Sequence, residues 1–147
     1  MKACTPKQMG DSCEMLVAAE LTLAGVPAVK MPDNWPGYDV IAQPKGGGAP
    51  QRISVKSRTF KRGGDTFVDY YAKDQFDWLA IVLLPGADQL RRRLFIVPKS
   101  VADERLGRHK AKFPDDKYLR QDRIAEELSE FEDNFRLSAT GSASAQN

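Results

Sequence analysis

The chain is poor in the side chains that build soft-metal and disulfide sites, with two cysteines and one histidine in 147 residues. Cys4 and Cys13 stand nine positions apart with no CxxC spacing, and His109 has no Cys or His neighbour. That pattern argues against a zinc site, and both cysteines read as free thiols. Long apolar runs are missing as well. None approaches the ~20 residues that cross a bilayer, and the opening MKACTPKQMG has no apolar signal core. The sequence therefore reads as cytoplasmic, with no membrane partner. A GxGxxG turn and regular βαβ alternation are also absent, which argues against a doubly wound dinucleotide-binding fold.

Net charge is scarce too: 22 Lys and Arg against 20 Asp and Glu leave +2. The layout says more than the total. Residues 45–73 carry +5 and residues 91–112 carry +6, while residues 1–44, 74–90 and 113–147 carry −2, −3 and −4. Two basic blocks in an acidic frame are the footprint of a polyanion-binding face hidden inside a near-neutral chain.

What is present reads as one domain of ordinary globular composition, 41% hydrophobic. DSCEMLVAAELTLA over 11–24 predicts a helix stopped by Gly25 and Pro27. VPAVKM, YDVIAQ and RISVKS predict three strands, the last two paired antiparallel across PKGGGAP. A basic loop over 58–66 leads to a short strand FVDYYA and a helical turn AKDQFD. WLAIVLLP, continuously apolar, predicts a strand buried on both faces at the sheet centre, followed by LFIVP. Short helical signals fill 99–118, and Ile124, Leu128, Phe131 and Phe135 space an amphipathic closing helix. The expected architecture is a single α/β domain over 1–137, a mixed β-sheet flanked by helices, with a disordered tail over 138–147.

Chemistry gathers around one strand. Period-2 alternation in RISVKS puts Ile53 and Val55 on one face and Ser54 and Lys56 on the other. A lysine at mid-strand is costly to bury without a carboxylate, and Asp39, opening the preceding strand, is the natural candidate. An Asp39–Lys56 ion pair at a sheet edge is the plain alternative to a catalytic role. The first helix adds two acids. Glu20 falls inside the apolar arc of Leu16, Val17, Leu21, Leu23 and Ala24, and Glu14 borders it, so the helical wheel lets either reach the sheet or run out to solvent.

The succession Gly10-Asp11-Ser12-Cys13-Glu14, Ala19-Glu20-Leu21, Gly25, Tyr38-Asp39 and Ile53-Ser54-Val55-Lys56-Ser57 resembles the PD-(D/E)xK nuclease superfamily. It looks most like its small stand-alone members related to archaeal Holliday-junction resolvases and restriction enzymes. FDWLAIVLL followed by LFIVP is similar to the strand pair after the lysine strand in such proteins, so the resemblance covers residues 10–98 and, more loosely, the closing helix. It implies a restriction-endonuclease-like core and an endonuclease hydrolysing phosphodiester bonds of branched or duplex DNA. By position, Glu14 and Asp39 match the acids that hold Mg²⁺ (or Mn²⁺), and Lys56 matches the lysine that helps position or activate the attacking water. Members of the family often cut duplexes as homodimers.

Ser54 departs from the pattern, which has Asp or Glu there. A hydroxyl can join a Mg²⁺ shell but brings no charge, and Glu20 is the candidate to supply the missing acid. If none does, the expectation is a weakened or inactive nuclease-fold module that binds DNA or a protein partner. Arg58, Lys61 and Arg62 follow Lys56, and Arg91, Arg92 and Arg93 separate two strands; all six are candidate phosphate contacts. Phe67, Tyr70, Tyr71, Phe76 and Trp78 read as core aromatics, whereas Trp35, in the turn before Asp39, reads as an exposed contact.

Overall fold

The first helix is longer than its apolar run. In the computed structural model, which describes residues 4–62, 67–86, 89–105, 108–110 and 113–141, α1 spans Pro6–Leu23. It begins five residues before the predicted start because Thr5 and Gln8 form a capping box. The Thr5 hydroxyl accepts the Gln8 N–H at 3.1 Å, and the Gln8 side chain accepts the Thr5 N–H at 2.9 Å. Pro6 in the first turn has no N–H to leave unpaired.

Strands β1 (Ala28–Lys30), β2 (Val40–Ala42), β3 (Gln51–Thr59), β5 (Trp78–Leu84) and β6 (Arg93–Pro98) form a five-stranded mixed sheet in the order β1-β2-β3-β5-β6. The β2–β3 pair is antiparallel, as the glycine-rich connection predicts, and β3 pairs with β5 in parallel. Six of the seven residues of β5 are buried, yet β3, not β5, is the middle strand.

The two faces of this sheet carry separate cores. Ile53, Ala80, Val82 and Ile96 pack under α1 with Cys13, Val17 and Leu21. Leu79, Ile81, Leu83, Phe95 and Val97 pack on the other side with Tyr70, Phe76, Ile124, Leu128 and Phe131. That second face is covered by a three-stranded antiparallel sheet in the order β4-β8-β7, formed by β4 (Phe67–Tyr71), β7 (Arg108–Lys110) and β8 (Phe113–Arg120), together with α2 (Lys99–Arg105) and the C-terminal segment. The fold is thus a mixed α/β domain whose larger sheet is flanked by helical segments.

Several expectations are corrected. Residues 72–74 make a turn instead of helix, and the stretch predicted as short helical signals contains α2 and two strands. The closing helix is broken into α3 (Ile124–Glu127) between two 3₁₀ turns, because Leu128 leaves helical geometry at φ −123° and ψ 24°. Ile124, Leu128 and Phe131 still point into the core, as their spacing requires. Residues 138–141, assigned to a disordered tail, are held to the domain: the buried Asn134 side chain donates to the Ile96 carbonyl at 3.0 Å and accepts the Ser138 N–H at 3.0 Å. Residues 142–147 lie outside the described residues, as do residues 63–66 of the predicted basic loop and the side chain of His109.

Candidate active site

Asp39 stands where the β2–β3 ladder runs out. Its N–H donates to the Ile53 carbonyl at 2.9 Å, and its own carbonyl accepts the Met31 N–H at 2.8 Å. The next amide of β3, that of Val55, is taken by the Asp39 carboxylate, whose Oδ2 accepts it at 2.7 Å. A charge-assisted bond of this length fixes the carboxylate against the strand that carries the lysine. Gly37, at φ +88°, lets the preceding loop turn in through a conformation that other residues rarely adopt.

On β3, Ser54 and Lys56 lie opposite Leu79 and Ile81 of β5, which places them on the face away from α1. Ser54 is buried and Lys56 is half-buried. Among the described residues Lys56 forms no ion pair, so the plain alternative, an Asp39–Lys56 pair, is not made.

Glu14 approaches from α1 with 20% of its side chain exposed. Burial raises its carboxyl above the ordinary glutamate range, and the nearby negative charge of Asp39 raises it further, while Lys30 pulls the other way. Glu20 turns to a different neighbour, Asp133 of the C-terminal segment, whose carboxyl it helps to raise behind burial and Glu132. Glu14 and Asp39 are therefore brought together, and Glu20 is not placed to replace the acid missing at Ser54.

Lys30 is the residue that sequence reasoning missed. Its ammonium donates to the Met31 carbonyl at 3.1 Å, and lies 3.4 Å from Asp33 and 3.9 Å from Glu14. Lys7 extends this cluster, 3.2 Å from both Asp11 and Asp33. The signal was available: alternation in VPAVKM puts Lys30 on the same side as Ala28, facing α1, and a lysine turned toward a helix needs a carboxylate there.

The candidate phosphate contacts divide into two groups. Arg58 is tied to Asp69 at 2.8 Å and to the Phe67 carbonyl at 3.2 Å, which joins β3 to β4. Arg93 grips Glu132 with two bonds of 2.7 Å, which joins β6 to the C-terminal segment. Lys61, Arg62, Arg91 and Arg92 are exposed. The two basic blocks meet at one end of the sheet, where Phe60 and Arg62 line one hollow with Arg93. Of the aromatics, Tyr70, Phe76 and Trp78 are buried and Phe67 is half-buried, but Tyr71 is 42% exposed. Trp35 is 45% exposed.

No family model matches the chain, and no curated protein sequence matches it. Among solved structures, the chain is similar to a bacterial homing endonuclease, I-Ssp6803I, with a TM-score of 0.60 over 98% of this chain and 99% of that one, at 15% identity. The likeness extends over the whole length and shows the fold. No described helix is long and apolar enough to cross a membrane.

Proposed function

We propose that the protein is a divalent-metal-dependent nuclease that hydrolyses phosphodiester bonds of DNA, with Glu14, Asp39 and Lys56 as its working residues. The observation that carries this reading is the pairing of two carboxylates, Glu14, partly buried, and Asp39, bonded to the Val55 amide of the strand that also carries Lys56, a lysine without an ion-pair partner among the described residues. It occurs in a fold shared with a homing endonuclease.

The donor set fits a hard cation. Glu14 and Asp39 offer carboxylate oxygens, and the Glu14 carboxyl is raised first by burial and then by the charge of Asp39. Among the described residues no group of three Asp, Glu, His or Cys side chains converges on one point. A metal held there would keep several waters or take substrate oxygens, which suits Mg²⁺ or Mn²⁺ and disfavours Zn²⁺. Bound by the two acids, such an ion supplies charge neutralisation at the scissile phosphate and a more acidic bound water. Asp39 does its part through orientation, since the Val55 amide locks the carboxylate to β3. Lys56, one residue further along the same strand, presents an ammonium to charge growing on the phosphate. Lys61, Arg62, Arg91 and Arg92 hold flanking phosphates and make binding salt-dependent. Arg58 and Arg93 are occupied within the fold and are dropped from that role.

Purified protein is expected to nick or cut plasmid or branched DNA with Mg²⁺ or Mn²⁺, and Asp39→Asn and Lys56→Ala to lose that activity while remaining folded. Cutting that survives both changes would remove the assignment. Ser54 and the absence of a third acid among the described residues favour a second reading, a nuclease-fold module that binds DNA without cutting it. That reading requires no heat of Mn²⁺ binding by calorimetry and DNA affinity unchanged in Asp39→Asn. A gain of metal affinity in Ser54→Glu would instead mark a true site lacking one ligand.

A further inference from the structure

The loop over residues 32–37, which delivers Asp39, holds an exposed aromatic side chain. Trp35 is 45% exposed, and its indole N–H makes no hydrogen bond among the described residues. The loop beneath it is firmly held. Asp33 pairs with Lys7 at 3.2 Å and Lys30 at 3.4 Å, and the Trp35 N–H donates to the Pro32 carbonyl at 3.2 Å. Asn34 at φ +63° and Gly37 at φ +88° set its course. An exposed indole on a fixed loop costs apolar surface without adding order to the fold, which is the pattern of a preorganised contact.

Its position narrows the partner. The Trp35 and Tyr38 rings meet in a T-shaped contact, 6.2 Å between centroids and 71° between planes. Tyr38 packs on the cluster that includes Leu79 and Ile81, the β5 residues opposite Ser54 and Lys56. Trp35 therefore stands on the lysine side of the sheet, four residues before Asp39. A flat aromatic face beside a phosphodiester site fits the face of a nucleobase. In an intact duplex that face is covered by its neighbours in the stack, so the indole can meet only a base that is unpaired or lies beside a gap.

We infer that Trp35 stacks on an unpaired base adjacent to the phosphodiester bond being cut, and that the protein favours DNA whose strands are open at that point. The inference rests on the nuclease reading and adds a substrate class to it.

The full-length chain is tested without metal against three probes of one sequence: a single strand, a gapped duplex and an intact duplex. Trp35 and Trp78 are the two tryptophans, and Trp78 is buried with its indole N–H bonded to Gln51 at 2.9 Å, so quenching by DNA reports Trp35. Quenching is expected with the single strand and the gapped duplex. Trp35→Ala should weaken binding to those two by about 5- to 150-fold and to the intact duplex by less than about twofold, with the salt dependence unchanged. Trp35→Phe should keep most of the affinity, which separates stacking from loss of loop structure. Binding without quenching, or an equal loss on all three probes, would overturn the Trp35 inference and leave the nuclease reading standing. Failure of the wild-type chain to bind any probe would overturn both.

Discussion

At the end of the β2–β3 ladder two carboxylates are set beside one another, whereas elsewhere on the same sheet each arginine that joins two elements has its own carboxylate. Glu14 is raised by burial and by Asp39, and Lys56 has no ion pair among the described residues. Arg52 holds Asp77, Arg58 holds Asp69 and Arg93 holds Glu132, with closest distances of 3.1, 2.8 and 2.7 Å. Charges that join elements are paired one to one, which is the arrangement that recovers part of the cost of partial burial. At the candidate site two carboxylates lie like beside like, offset in part by Lys30 at 3.9 Å from Glu14, an arrangement whose cost a bound cation would lower. The contrast also explains why a basic block in the sequence is a poor guide to its individual members: Arg58 and Arg93 are half-buried against carboxylates, whereas Lys61, Arg62, Arg91 and Arg92 are exposed, Arg62 over the Phe60 ring.

The largest effect is expected where this contrast is broken at the site. Asp39→Asn keeps an oxygen that can accept the Val55 amide and removes the charge, and Lys56→Ala removes the ammonium. Each should cut the cleavage rate by at least about 10²- to 10³-fold with little change in thermal midpoint. The double variant should be no slower than the worse single one, because residues that act as a unit lose their joint contribution at the first change. Full additivity of the two losses, measured on supercoiled plasmid, would mean that they do not share a site.

The placement of Asp39 at the head of β2 and of Lys56 on the neighbouring β3 was legible because its signals are local. Lys56 breaks an apolar strand, Asp39 opens the strand before it, and the PKGGGAP connection sets their pairing. The helical wheel left Glu14 and Glu20 undecided, because choosing between them needs the position of β1 and of the C-terminal segment, and both are set by distant contacts. The same holds for β8, whose FPDDKYLR carries no strong alternation and becomes a strand only by pairing with β4 and β7. The early start of α1 was readable from Thr5 and Gln8, three residues apart before an apolar run. The closing helix failed for a different reason. Spacing places Ile124, Leu128 and Phe131 on one face whether the backbone is α or 3₁₀, so the pattern finds the buried residues without fixing the turn type.

Effects of intermediate size are expected where structural pairs are broken. Arg93→Ala should lower stability by about 1 kcal/mol in urea titrations, because the pair is 38% and 30% exposed and solvent screens it. A cycle with Glu132→Ala should return most of that as coupling, and DNA binding should be unchanged. Asp77 adds a pH signature. Burial pushes its carboxyl up, but the bonds from the Arg52 guanidinium and backbone N–H outweigh it, so Asp77 sits below the ordinary carboxylate range. A lowered carboxyl stabilises the fold fully above the unfolded value of about 3.9, and that contribution is lost as pH falls toward the folded value. Asp77→Asn should therefore cost about 1–2 kcal/mol at neutral pH and progressively less below pH ~4. A cost independent of pH would mean that the charge contributes nothing.

The smallest shift, and the one with the opposite sign, is expected for Glu14→Gln. A carboxyl raised in the folded state holds its proton more readily than in the unfolded chain, so wild-type stability falls as pH climbs from the ordinary glutamate value through the raised one. Above that window the ionised carboxylate remains a standing cost, offset only in part by Lys30 at 3.9 Å. Glutamine keeps the shape and removes the charge. The variant should melt about 1–2 °C higher than wild type at neutral pH, and the gain should vanish below pH ~4.3, where the wild-type carboxyl is protonated in both states. Cleavage should be lost over the same range. Removing a charge from Arg93 and from Glu14 would then move stability in opposite directions, because one charge was placed to hold two elements together and the other to wait for a ligand. If Glu14→Gln instead lowers the melting temperature at neutral pH, Glu14 is an anchor for Lys30, and the distinction between the two kinds of charge does not hold at this site.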